Sequence, residues 1–426
     1  MFELDSQFIK HGNDITEFFD ALRELQDITK IEVVNTRDIH FSHVVNSDDD
    51  VDAIAFCGNF LLNQKGSQIF EYVGTLVSST KEKGAMFLAY TVNGDSVKPK
   101  TLSKDNKIYA IGWSDKLIKE VENDSGMIIV ANNKTMACSP LAVPSILARA
   151  DLAGNIVAEN SYMRTIFIAW SLLRKKPKKV TFVTRNVGKA RVLVAMHSEK
   201  YAYIPQMTLK DIYDTLCDVM GDVRCLRWEI THGLSSCYVE FPTIGKEFSD
   251  AYDLKHEVVP GLSFCTSDTG ISSLSVTGFW RIGTHIIGSE SLRCVHKGNI
   301  DIKKLISDAD KDIFSKYRTV PSRLCDLLTI DCPTPSDTIK SVAKEIDLVS
   351  IIGSKRARVV VEALCAELTT GVNYTAYDIA TMFASLPERC FGLDKHRLEH
   401  LRGCCKKALF ADYNNTSAST PFFVGA

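Results

Sequence analysis

Short β-rich runs separated by little more than turns, giving way after residue 335 to helical periodicity, constrain this chain most. Residues 31–34, 39–45, 70–77, 85–92, 107–113 and 127–131 are such runs, rich in β-branched and aromatic side chains. Turn signals such as Asn93-Gly94-Asp95 and Asn123-Asp124-Ser125-Gly126 stand between them. Strands joined by tight turns pair antiparallel, because parallel neighbours need a long crossover. The same pattern returns at 237–241, 273–276, 280–287 and 292–296. A hairpin is expected where 179–185 and 189–196 flank Asn186-Val187-Gly188, with Gly188 suited to a positive φ.

Helices are expected where apolar residues recur at three and four. Ile15, Phe18, Phe19, Leu22 and Leu25 form one stripe, capped by Asn13 or Asp14. Residues 144–174 also read as helical. Leu209, Ile212, Tyr213, Leu216 and Met220 form a second stripe, with Thr208 as its cap and Gly221 as its stop. Ile302, Leu305, Ile306, Ala309 and Ile313 mark another over 301–316. Beyond Asp331-Cys332-Pro333-Thr334-Pro335 the pattern is helical to about 410, punctuated by Gly353, Gly371 and Pro387. The expected class is α+β, with antiparallel sheets, packed helices and an all-helical C-terminal region. The expected organisation is an N-terminal α+β region (1–150), an α+β core with the hairpin (151–335), a helical region (336–412) and a polar tail (413–426).

No apolar run approaches the roughly 18 residues of a membrane span; the stretch 165–173 soon meets charge. The first residues lack a basic segment followed by an apolar one, so no signal peptide is expected and a cytoplasmic location is. The 13 cysteines are then expected as small thiols in a reducing compartment, Cys217 and Cys365 on apolar faces among them. No Cys-x-x-Cys pair occurs, and Cys404-Cys405 cannot both face one metal from a helix.

Candidate catalytic and metal constellations each lack a required partner. Ser267-Asp268-Thr269-Gly270 contains the Asp-Thr-Gly of aspartic proteases, whose chemistry needs two such carboxylates sharing a proton; it occurs once, and a turn with local side-chain bonds is expected instead. His396, His400 and Cys404 share a helical stripe but lack an acidic base, and a solvated face is expected. Asp48, Asp50 and Asp52 alternate as in a calcium loop, yet Ala53 and Asn59 stand where its Gly and Glu belong. Gly188-Lys189 and Gly245-Lys246 lack the earlier Gly of a phosphate loop. No catalytic residue, cofactor or metal is expected.

Charge is more informative. The net value of −2 hides a segregation: residues 1–52 carry 13 acidic and four basic side chains, whereas 174–191 carry eight basic and no acidic ones. Arg174, Lys175, Lys176, Lys178, Lys179, Arg185, Lys189 and Arg191 decorate the hairpin, with Phe182, Tyr201 and Tyr203 nearby. Cations along a phosphate backbone beside aromatic faces are a common way to hold single strands. These eight cations, with Tyr201 and Tyr203, are the candidate nucleic-acid-binding residues. The expected function is non-catalytic binding of single-stranded DNA or RNA, as an oligomeric accessory of replication or recombination. The alternative is a self-assembling virion or shell protein that docks through its acidic segment and Phe422-Phe423-Val424.

Arg191-Val192-Leu193-Val194-Ala195-Met196-His197-Ser198-Glu199-Lys200-Tyr201-Ala202-Tyr203-Ile204-Pro205-Gln206 resembles the "VSxxYxxxxN" segment of the DUF932 phage/plasmid-like proteins. Pro260-Gly261-Leu262-Ser263-Phe264-Cys265-Thr266-Ser267-Asp268-Thr269-Gly270 is similar to that family's "GxxxxNSxxG" stretch. Arg281 and Arg293-Cys294-Val295-His296-Lys297-Gly298 sit where the family has an Arg-bearing strand and a basic-His element. Thr369-Thr370-Gly371-Val372-Asn373-Tyr374-Thr375-Ala376-Tyr377-Asp378 resembles its C-terminal "NT-x-Y" region. The resemblance covers about 180–410 and implies a phage or mobile-element origin without a known activity. Thr266 replaces an Asn, and Gly283-Thr284-His285-Ile286-Ile287-Gly288 replaces the family's "CTNG".

Overall fold

The computed structural model of the chain describes residues 9–47, 50–55, 87–90, 99–102, 125–132, 134–152, 164–165, 168–169, 171–172, 175–187, 190–294, 301–393 and 395–414. The β-branched runs assemble into two large sheets with helices packed on them, an α+β fold. One sheet has six strands in the order β1 (Ile9–Gly12), β11 (Arg224–Thr231), β12 (Ser235–Glu240), β13 (Val258–Thr266), β14 (Leu274–Ile282) and β15 (His285–Cys294). Every pairing in it is antiparallel.

Among the described residues the second sheet has nine strands. Their order is β2 (Thr29–Asn35), β9 (Lys179–Val187), β10 (Ala190–Ser198), β8 (Lys134–Cys138), β7 (Met127–Ala131), β3 (His40–Ser47), β4 (Asp50–Ala55), β5 (Phe87–Tyr90) and β6 (Pro99–Leu102). Two of its pairings, β10 with β8 and β4 with β5, are parallel, so it is mixed where the sequence suggested antiparallel pairing alone. The chain between β8 and β10 includes a helix and is long enough to cross over. Strands from both sides of residue 150 pair within each large sheet.

The helices follow the apolar stripes. The first, α1 (Ile15–Ile28), starts where the Asp14 carboxylate accepts from Thr16 N at 2.7 Å and Glu17 N at 3.2 Å. Then come α2 (Ala142–Ala150), α3 (Thr208–Met220), α4 (Pro242–Ala251), α5 (Ile302–Asp312) and α6 (Thr319–Leu327). Thr208 does not cap α3, as expected from the sequence, but lies buried within its first turn, after an uncapped Met207. Gly221 does end it, at φ +75°. The C-terminal helices are α7 (Pro335–Glu345), α8 (Leu348–Ile352), α9 (Ser354–Ala366), α10 (Ala376–Ala384), α11 (Leu386–Arg389) and α12 (Lys395–Leu409). Within this region a two-residue strand pair, β16 (Asp331–Cys332) with β17 (Tyr374–Thr375), interrupts the all-helical pattern.

The inner face of the six-stranded sheet shows why the strands form. Leu262, Phe264, Leu274, Val276, Trp280 and Ile282 lie at even positions, and all are buried in one core with α1, α3 and the C-terminal helices. The nine-stranded sheet has its own core, in which Phe182, Leu193 and Met196 pack on α2. The run 280–287 is not one strand: Gly283, at φ +58°, turns the chain from β14 into β15. β13 was hidden by Pro260 and Gly261. A Cβ at Gly261 would fall 2.4 Å from both Val239 O and the Phe279 ring, so only glycine fits there. The runs 70–77 and 107–113 lie outside the described residues.

Candidate nucleic-acid interface and the buried ion pair beneath it

The basic run enters β9 at Lys179 and leaves β10 beyond Arg191, so strand alternation sends its charges to different places. The two arginines of the hairpin lie on opposite faces. Arg191 Nη2 meets Glu32 Oε1 at 2.8 Å, its Nε donates to Thr184 Oγ1 at 3.0 Å, and Lys134 joins the same carboxylate at 2.5 Å. Burial pushes the Glu32 carboxyl up, but Lys134 and Arg191 outweigh it and hold it below the usual range.

Arg185 points the other way and is 1% exposed, inside the protein rather than on the charged surface the sequence suggested. Its Nη2 lies 3.1 Å from Asp268 Oδ2, on the loop after β13. Nη1 donates to the His232 carbonyl and lies 3.2 Å from its Nδ1. Desolvation lowers the guanidinium pKa, and the Asp268 charge opposes that. Gln206 Nε2 donates to the same Asp268 oxygen at 2.8 Å and takes Ser235 Oγ on its own carbonyl at 2.9 Å. His197 Nε2 stands 2.6 Å from the Asp268 carbonyl oxygen and stacks on Tyr201 at 3.9 Å between centroids.

Two segments distant in sequence, 191–206 and 260–270, thus meet at one buried carboxylate. The Asp-Thr-Gly segment follows strand β13 directly. Ser267 Oγ accepts from Thr269 N at 3.2 Å, as a side-chain-bonded turn requires, and Gly270 takes φ +82°. Paired with an arginine, Asp268 is arranged as a structural anion and not as one member of a proton-sharing dyad. Tyr201 and Tyr203 stand half-buried beside this pair. Burial drives both phenols well above the ordinary value, and the nearby Asp268 charge adds to it.

The remaining cations gather at the base of β9. Lys175 is partly buried, donating to the Arg149 carbonyl at 3.0 Å and pairing with Asp151. Lys176, Lys178 and Lys179 are exposed and, with Lys175 and Arg149, line a recess of about 130 Å³. Lys179 faces Glu199 at 3.8 Å, whereas Lys176 and Lys178 form no ion pair among the described residues. Arg174, Lys189 and the Asp48 and Asp49 positions lie outside the described residues.

On α12, His400 is exposed but Cys404 is buried, so the stripe 396–404 is not one solvated face; the His396 side chain lies outside the described residues. Among the described residues no group of three or more His, Cys, Asp or Glu side chains is placed to hold a metal. None of their helices is long and apolar enough to cross a membrane. No protein-family model, curated protein or solved structure matches the chain.

Proposed function

We propose that this protein binds the phosphate backbone of nucleic acid, without catalysis, through the lysines at the base of β9. The observation that carries this is the exposed trio Lys176, Lys178 and Lys179 around one recess, two of them free of ion pairs among the described residues. Neighbouring ammonium groups of this kind displace condensed counterions from a polyanion, which favours binding at low salt. Arg185 and Arg191 are already matched by carboxylates, and one Tyr201 face is taken by His197. The contact is therefore chiefly one of charge, and Tyr201 has one face fewer to offer a base than the sequence suggested. A role as a replication or recombination accessory in the cytoplasm belongs to the same proposal, and a phage or mobile-element origin rests on the resemblance over 180–410.

Changing Lys176, Lys178 and Lys179 together to Glu is expected to abolish binding to a labelled oligonucleotide. The logarithm of the parent's binding constant should fall with log salt at a slope of about −2 to −3, from roughly 0.7–0.9 per phosphate contact. No binding by the parent at low salt, or unchanged binding by the variant, overturns the proposal.

Self-association is the second reading, and it has its own observation. β2 is an edge strand of the described sheet, with Ile31 36% and Val33 56% exposed. Antiparallel pairing of two copies about Ile31 would set Lys30 of each against Glu32 of the other. Light scattering should then give a dimer mass that Val33→Lys reduces to a monomer; a monomeric parent rejects it.

A further inference from the structure

The outer face of the six-stranded sheet has two halves of different chemistry. In one, Tyr238, Phe279 and Ile286 form a small apolar cluster, which α12 clamps. The Tyr238 hydroxyl donates to Glu399 at 2.6 Å and accepts from Arg402 Nη1 at 2.8 Å. At Gly288 the strand comes so near that a Cβ would lie 3.1 Å from the Arg402 side chain and 3.2 Å from Gly403 N. Past that pinch the sheet presents Cys265, Ser275, Thr277 and Ser291, all small, where a covered sheet face is ordinarily filled by large apolar residues. These short side chains leave a cleft of about 960 Å³ between sheet and helix, within the size range of small-molecule sites.

We infer that this cleft binds a nucleotide. Its floor is hydroxylic and partly self-bonded, Thr277 Oγ1 to Ser291 Oγ at 2.9 Å and Cys265 Sγ to Ser275 Oγ at 3.0 Å, and hydroxyls both donate and accept. Among its lining residues, three bear on the choice of ligand. Lys407 is exposed and forms no ion pair among the described residues, so its ammonium suits a phosphate. Phe410 offers a half-exposed ring on which a base can stack. Glu345 lines the same wall, with Oε2 3.4 Å from Asp412 N, and its carboxylate matches a ribose diol. Among the described residues the other carboxylate of the lining, Glu399, is already committed to Tyr238 and Arg402. Lys407, one aromatic face and the exposed Glu345 carboxylate beside a hydroxyl floor fit phosphate, base and sugar together, and Lys406 and His400 line the same cleft. A bare phosphate uses only the first, and a hexose phosphate has no use for the ring.

The cleft is lined by none of the residues at the base of β9, so its test is separable from that of the proposed function. Calorimetry on the full chain would compare adenosine monophosphate, its 2′,3′-dideoxy analogue, glucose 6-phosphate and inorganic phosphate. Saturable binding of adenosine monophosphate, about tenfold or more tighter than of glucose 6-phosphate or phosphate, is expected. Ser275→Trp, which intrudes on the cleft from its floor, and Lys407→Glu, at an exposed position that should not perturb folding, are each expected to weaken it about tenfold or more. Glu345→Gln should narrow the gap between the nucleotide and its dideoxy analogue. The triple Lys176, Lys178 and Lys179 to Glu variant should bind the nucleotide as the parent does. Absence of saturable nucleotide binding, equal binding of inorganic phosphate, or undiminished affinity in Lys407→Glu overturns the inference.

Discussion

Arg185 and Lys179 sit six residues apart on the same strand, yet they do opposite work. Arg185 is sealed between the two large sheets, with Asp268, Gln206 and His232 around it. Lys179 stands in solvent, 63% exposed, facing Glu199 across 3.8 Å. The first charge is bound to one partner because burial makes any unpaired state costly. The second is screened by water and salt and remains available to an outside anion. A run of like charges in a sequence is thus not one surface, since the structure sorts its members by burial.

Breaking the buried pair should have the largest effect. Asp268→Ala leaves the Arg185 charge buried and unmatched, and is expected to cost about 3–5 kcal/mol in chemical denaturation. Arg185→Met combined with Asp268→Leu should restore most of that loss, because an apolar pair removes both desolvation penalties. A loss below about 1 kcal/mol in Asp268→Ala, the scale of exposed pairs, would mean that the two sheets are not locked through this contact.

A pair of intermediate burial comes next. Asp378 closes the capping box of α10 with Thr375, and Lys255 Nζ reaches it at 2.7 Å. Burial raises its carboxyl pKa, but the Lys255 and Thr375 hydrogen bonds outweigh this and set it below the ordinary 3.8. A depressed folded-state pKa means stabilisation that is present above the unfolded value and is lost as pH falls through the folded one. Asp378→Asn should therefore lower the denaturation midpoint at pH 6 and flatten its decline below pH 4, at a cost of less than about 1 kcal/mol for a partly exposed pair. An identical acid profile in the variant would contradict this assignment.

The solvent-facing charges should matter least to the fold. Glu199→Gln is expected to change stability by less than about 1 kcal/mol. Changing Lys176, Lys178 and Lys179 to Glu should likewise leave stability within roughly 0.5 kcal/mol for each position while removing oligonucleotide binding. Equal losses of stability and binding would erase the contrast between the two regions and make the trio part of the scaffold.

Period and punctuation made much of the fold legible. The stripe from Ile15 to Leu25 is α1, with Asp14 as its cap; Gly221 ends α3; and the β9–β10 hairpin stands where two β-branched runs flank a turn. Strands bearing Pro or Gly, or interrupted by charge, were not legible. β11 alternates buried Trp228 and Ile230 with arginine and glutamate, and β13 holds Pro260 and Gly261. The parallel pairing of β8 with β10 could not be read locally, because it depends on where a long crossover returns.

The candidate residues divide along the same line. The sequence by itself determined that cations crowd 174–191 and that Asp268 lies in a turn-forming segment. Only the tertiary structure decided that Arg185 spends its charge on Asp268, that Arg191 is held by Glu32, and that Lys176, Lys178 and Lys179 face outward. A side chain's charge is fixed by its covalent chemistry, whereas its electrostatic partner is fixed by which distant strand folds against it.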